Sequence, residues 1–139
     1  YFQILTVMKK IKGYITSKPF LSERVPQNVQ NLFLRNFCKI NGYEFLLSGT
    51  EYSMKNSFHI LEELIYNLDQ YDGIAAYSVF QLPEKSSYRS KLLKKILKEK
   101  KMFLCAIENI KIESASDVKY IETLWKIKKS LPKCFKSVS

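Results

Sequence analysis

Four short apolar runs, each followed by a stretch of helical periodicity, constrain this chain more than any other feature. The runs cover 11–16, 43–48, 74–79 and 102–107. Strands that alternate with helices pair in parallel through right-handed crossovers. The expected fold is therefore α/β: a single three-layer domain on a mostly parallel sheet of four to five strands. The strand order 2-1-3-4 follows by analogy with flavodoxin-like sheets. A short fifth strand is placed near Lys111-Ile112.

The helices are read from apolar spacing. Pro26 suits a first helical turn, and Val29, Leu32, Phe33, Phe37 and Ile40 form the inward stripe of helix one. Asn41-Gly42 ends it as a left-handed cap. Ser57 caps helix two, whose stripe is Ile60, Leu61, Leu64, Ile65 and Leu68. Helix three spans about 87–100 around Leu92, Leu93, Ile96 and Leu97. Ser116 caps helix four, with Val118, Ile121, Leu124 and Trp125 facing inward.

A length of 139 residues suits one domain. Such a chain can bury roughly two thirds of its extended surface without a disulfide or metal. Tyr1-Phe2-Gln3 looks like the end of a protease-recognition tag and Met8 like a natural start. Residues 1–7 are thus set apart as tag-derived, 8–130 as the domain and 131–139 as a basic C-terminal tail. No run reaches the roughly 18 apolar residues of a membrane helix, so no membrane insertion is expected. Three cysteines without a CxxC pair fit a reducing, cytoplasmic setting, with Cys105 as a small core residue.

In open α/β sheets, ligands sit beyond the carboxyl ends of the strands where the strand order reverses. Four loops converge there. The first supplies Ser17, Glu23 and Arg24, with Gln27 on the helix face that follows; an arginine at a helix start suits an anion. The second carries Glu51 and Tyr52, the third begins with Tyr77 and Ser78, and the fourth with Glu108. Glu51 and Glu108 are candidate paired carboxylates for acid–base work, and Tyr77 a ring or proton donor. One histidine and no cysteine cluster give no expectation of a metal. No GxGxxG, GxxxxGK[ST] or GxSxG motif appears, so no cofactor is expected.

Charge divides the chain. Eight basic and eight acidic residues precede Lys85; fifteen basic and five acidic follow. Helix three carries Arg89, Lys91, Lys94, Lys95, Lys98, Lys100 and Lys101. With one arginine and few interleaved aromatics, the preferred reading is a solvated lysine face rather than a base-reading surface.

Two resemblances follow. The segments Gly13-Tyr14-Ile15-Thr16-Ser17-Lys18-Pro19, Glu23-Arg24-Val25-Pro26-Gln27-Asn28-Val29-Gln30-Asn31-Leu32, Leu47-Ser48-Gly49-Thr50-Glu51-Tyr52-Ser53-Met54 and Tyr77-Ser78-Val79-Phe80-Gln81-Leu82-Pro83-Glu84 resemble the sporadic carbohydrate cluster proteins. The likeness runs from about Ile11 to Ile127 and implies a place in bacterial surface-polysaccharide synthesis, without naming a reaction. More distantly, Gly13-Tyr14 on strand one and a glutamine-bearing first helix resemble the catalytic domain of serine recombinases. Those enzymes need an arginine where Thr16 stands and a nucleophilic serine where Lys18 stands, with Ser17 one position early. Their Asp-Arg-rich segment is Tyr77-Ser78-Val79-Phe80 here. Without those arginines a phosphodiester transition state lacks its charge stabilisation.

The leading expectation is thus a protein binding or acting on an anionic or nucleotide-linked sugar. Arg24 would hold the anion, Glu51 and Glu108 protons or hydroxyls, and Tyr77 the ring. Nucleic acid is not expected as a partner; a resolvase-like nucleic-acid module on the basic helix is the alternative, and a non-catalytic partner of a sugar enzyme a third. Phe20, Leu21, Phe80 and Leu82 beside the site would allow a homodimer, or simply cover the sheet end.

Overall fold

The first apolar run becomes β1 (Lys10–Thr16), the strand at which the sheet changes direction. Its neighbours are β2 (Glu44–Glu51) on one side and β3 (Gly73–Ala76) on the other, both parallel. β4 (Met102–Cys105) lies parallel to β3, and the short β5 (Ile110–Ile112) turns back antiparallel to β4. The order β2-β1-β3-β4-β5 is the expected one with the extra strand at its edge. This computed structural model describes residues 8–20, 24–52 and 57–138, with side chains through residue 130. The tag-like residues 1–7 lie outside them.

Helices cover both faces. α1 (Gln27–Ile40) packs with Ile11, Ile15, Ala75 and Leu104 on one face. α2 (His59–Tyr66), α3 (Ser86–Lys98) and α4 (Ala115–Val138) close the other over Tyr14, Ile74, Ala76, Phe103 and Cys105. Alternate residues of β3 and β4 therefore serve opposite cores, and their continuous apolar sequence follows from burial on both faces. Cys105 is fully buried, as expected of a small core residue. Among the described residues, no helix is long and apolar enough to cross a membrane.

Several local expectations change. α1 turns a different face inward: Gln30, Leu34 and Cys38 are buried, while Leu32, Phe33 and Ile40 are exposed. Apolar residues lie almost all round this helix, so spacing alone did not orient it. Neither expected serine cap forms. The first amides of α2 donate to the Glu51 carboxylate, 3.2 Å from Ile60 N and 3.4 Å from Leu61 N. At α4, Asp117 accepts from the amides of Glu113 and Ser114 at 2.9 and 3.1 Å. β2 runs three residues further than expected, to Glu51, and that extension places the carboxylate against α2. The α4 backbone continues to Val138, through the segment set apart as a tail.

The strands approach closely at two glycines. The β1–β2 register shifts at Gly13, where an added Cβ would lie 2.2 Å from Ser48 Oγ. At Gly73 it would lie 2.7 Å from the Met102 carbonyl oxygen, a backbone atom that cannot rotate away. Gly73→Ala is expected to destabilise the fold by about 1–3 kcal/mol in urea titrations, with the slope unchanged. A stability within 0.5 kcal/mol of the parent, as is usual for neutral surface changes, would show that β3 and β4 are not packed this tightly.

Candidate functional site

A relay of hydrogen bonds ties the carboxyl ends of the strands together. It begins at Thr16, the last residue of β1. The buried Gln30 side chain accepts from Thr16 N at 3.1 Å and donates to Thr16 O at 2.7 Å. Gln30 Oε1 also accepts from Gln81 Nε2 at 2.7 Å. Gln81 Oε1 in turn accepts from Ser78 N at 3.0 Å, closing a capping box on the 3₁₀ turn Val79–Gln81. Ser78 Oγ donates to Glu108 at 2.6 Å, and Val79 N donates to the other carboxylate oxygen at 2.9 Å. One continuous chain thus joins β1, α1, the turn after β3 and the turn after β4.

β2 is secured separately by Glu51, which is 2% exposed. Its carboxylate accepts from Tyr14 Oη at 3.1 Å, from Ser57 Oγ at 3.4 Å and from the α2 amides. Carboxylate at a helix amino terminus is electrostatically favoured. Burial, and then the Glu51 charge, push the Tyr14 phenol far above its ordinary value. Lys18 lies beside this group, donating to Ser57 O with its ammonium 3.8 Å from the Phe58 ring centre. Burial lowers the Lys18 pKa, and the nearby Glu51 charge opposes that shift.

A third fixture is Arg89, counted in the sequence with the solvated lysine face but 2% exposed here. It grips Glu122 with two nitrogens, at 2.8 and 2.6 Å, and donates to the carbonyls of Pro83 and Glu84 at 2.8 and 2.9 Å. Its guanidinium also lies 4.4 Å from the Trp125 ring centre. The loop after β3 is thereby bound to both α3 and α4.

The residues singled out in the sequence separate into distinct environments. Glu51 and Glu108 cap different elements and neither lines the cleft described next. Ser17 donates its amide to the Glu51 carbonyl at 2.9 Å. Tyr77 stacks edge-on against Phe20 and Phe33, with ring centres 5.9 and 5.3 Å apart. Ser78 is buried in the relay, Gln27 is half-buried, and Arg24 and Tyr52 are exposed. Glu23 and Leu21 lie outside the described residues. Phe20 and Leu82 are buried and Phe80 packs on Trp125, so these three cover the sheet end.

Beyond β1 and the turn after β3 lies a cleft of about 190 Å³. Lys18, Phe58, Phe80, Trp125 and Lys128 line it, with Thr16 and Gln81 at its floor and Glu84 on its wall. The sequence pointed to this region, but not to Phe58, Trp125 or Lys128 as its walls. Helix spacing assigned Trp125 only to the core. The Ser78-Val79-Phe80-Gln81 spacing did carry a capping-box signal.

On the opposite side of Arg89, α3 and α4 form a groove of about 490 Å³. Lys94, Lys119 and Lys126 line it, and its one carboxylate, Glu122, is already held by Arg89. Lys91, Lys95 and Lys98 extend the exposed row along α3.

No family model matches the chain, and no curated protein matches it. Two solved structures share its fold. The N-terminal catalytic domain of TP901-1 integrase aligns with a TM-score of 0.61 and 16% identity, covering 92% of this chain and 98% of that one. A resolvase family site-specific recombinase from Streptococcus pneumoniae aligns with a TM-score of 0.62 and 10% identity, over the same shares. The fold is thus that of resolvase-type catalytic domains. This result corrects two expectations. The matched structures are recombinases, which act on DNA, so the exclusion of nucleic acid from the partners is withdrawn. The sugar or nucleotide-sugar ligand, and with it the carbohydrate pathway, finds no support among them.

Two predictions test these fixtures. Gln30→Leu leaves the Thr16 backbone and the Gln81 amide without partners, at about 1–3 kcal/mol for each unsatisfied group. An overall loss of about 3 kcal/mol is expected by denaturant unfolding, less than additive with Gln81→Leu because the two residues share one bond. Additive losses would break the relay into independent contacts. For Glu122, burial raises the carboxyl pKa, but the bonds from Arg89 and Ser86 and the Arg89 charge outweigh it and hold the group below its ordinary 4.5. A depressed carboxyl stabilises the fold above its unfolded value, and that contribution fades as pH falls through the folded value. Glu122→Gln should therefore be less stable than the parent at neutral pH, and the gap should close on acidification below 4.5. A gap independent of pH would remove the charge from the account.

Proposed function

We propose that this chain is a nucleic-acid-binding module on a recombinase-like fold, which holds the phosphate backbone in the groove between α3 and α4. The observation that carries this reading is the lysine-lined groove whose sole carboxylate is already paired with Arg89. Lys91, Lys94, Lys95 and Lys98 follow helical spacing, so one face of α3 presents a row of cations about 10 Å long. Its likeness to recombinase domains supports the same partner.

Lysines are point charges on flexible stems, suited to phosphate contact rather than bidentate base recognition. Binding should accordingly be weakly sequence-dependent. The residues at the strand ends do not favour strand exchange. Thr16 and Lys18 stand where the resembling enzymes carry arginine and serine, and Thr16 is buried under Gln30.

Fluorescence anisotropy with short duplex DNA tests the reading. At physiological salt the dissociation constant should fall in the ~1–100 μM range of non-specific binders, and log affinity should drop linearly with log salt. Combining Lys94→Glu, Lys95→Glu and Lys98→Glu should weaken binding at least about tenfold and reduce the salt slope by roughly 3, near one unit per phosphate contact. Binding that is insensitive to salt, or unchanged in the triple variant, would sink the proposal.

A further inference from the structure

The cleft at the strand ends contains an unmet hydrogen-bond demand. Trp125 is 3% exposed and lines the cleft, and its Nε1 is the one buried side-chain nitrogen or oxygen among the described residues with no partner. A buried N–H without an acceptor costs about 1–3 kcal/mol, so such a group marks where a bound molecule would supply one. The same cleft holds two ammonium groups, Lys18 and Lys128, neither in an ion pair among the described residues. Its apolar surface is aromatic: Phe58 lies under Lys18, and Phe80 meets Trp125 edge-on with ring centres 5.1 Å apart. Lys128 sits 4.9 Å from the Trp125 ring centre and 5.6 Å from that of Phe80.

From this juxtaposition we infer that the cleft binds a single nucleotide unit. Its phosphate would rest between Lys18 and Lys128, its flat base against Phe58 and Phe80, and a base acceptor or phosphate oxygen would take the Trp125 N–H. The volume of about 190 Å³ lies below the ~300–1,000 Å³ of sites for drug-sized ligands, which excludes a dinucleotide. Glu84, exposed on the wall, repels a second phosphate and favours a monophosphate over more highly charged nucleotides. Base stacking on aromatic side chains is tolerant of base identity, so the site selects a nucleotide but not a particular base. The unit would come from a free nucleoside monophosphate or from the 5′-phosphorylated end of a single strand. The cleft needs nothing from the α3–α4 groove.

Trp125 is the only tryptophan in the chain, so its fluorescence reports on this cleft alone. The protein should be titrated at constant ionic strength with AMP, UMP, a 5′-phosphorylated oligonucleotide, adenosine and inorganic phosphate. AMP and UMP should change the emission saturably and with similar affinity, while adenosine and phosphate bind at least about tenfold more weakly. Lys128→Met, and separately Lys18→Met, should weaken AMP at least about tenfold without loss of thermal stability in the first variant. Equal affinity for the mononucleotide and the oligonucleotide supports the site with a free ligand; preference for the oligonucleotide supports it with a strand end. Three results overturn the inference: no saturable change with any nucleotide, phosphate binding as tightly as AMP, or AMP affinity unchanged in Lys128→Met. Because the titration uses no duplex DNA, its failure leaves the groove reading standing, and the reverse also holds.

Discussion

Burying a glutamine is unfavourable unless every polar atom is matched, and Gln30 meets that condition by binding three separate segments. It satisfies both backbone groups of Thr16, accepts from Gln81 and donates to the Val25 carbonyl at 2.8 Å. The position of α1 against β1, and of the turn after β3 against both, depends on this one side chain. From Gln81 the same chain continues to Ser78 and Glu108, so four strand-end segments are held in one arrangement. In a low-dielectric interior such a fully satisfied network rigidifies its surroundings, whereas a partly satisfied one would be costly.

Arg89 performs the corresponding task on the far face. By engaging Glu122, the carbonyls of Pro83 and Glu84 and the face of Trp125, it locks the loop after β3 to α3 and α4. It also removes the one negative charge of the α3–α4 groove, leaving Lys94, Lys119 and Lys126 unopposed there. The structural cation and the functional cations are therefore different residues on the same helix. Burial divides them: Arg89 lies inside, and the lysines one turn further along face water.

The fold shared with recombinase catalytic domains places a rigid, polar floor under a cleft that lacks the arginines of phosphoryl chemistry. Carboxylates that read in sequence as an acid–base pair are spent on helix and turn amides. What remains open at the strand ends is aromatic and cationic, a surface suited to holding a ligand. Two basic features, the groove and the cleft, lie on either side of Trp125 and its Arg89 contact.

Strand–helix alternation, strand order, the extra edge strand and the region of the site were all legible in the sequence, because period-2 and period-3.6 patterns follow directly from backbone geometry. The Asn41-Gly42 stop was equally plain: Gly42 adopts a φ of 74°, which favours glycine. The inward face of α1 was not legible, since a helix apolar nearly all round is oriented by what it meets, here the Thr16 backbone reaching for Gln30. Nor were the partners of Glu51, Glu108 and Arg89, which come from residues 9 to 37 positions away. Local sequence encodes local preference; which charges are buried and neutralised, and which stay free to act, was decided only when the tertiary structure brought distant backbone groups to them.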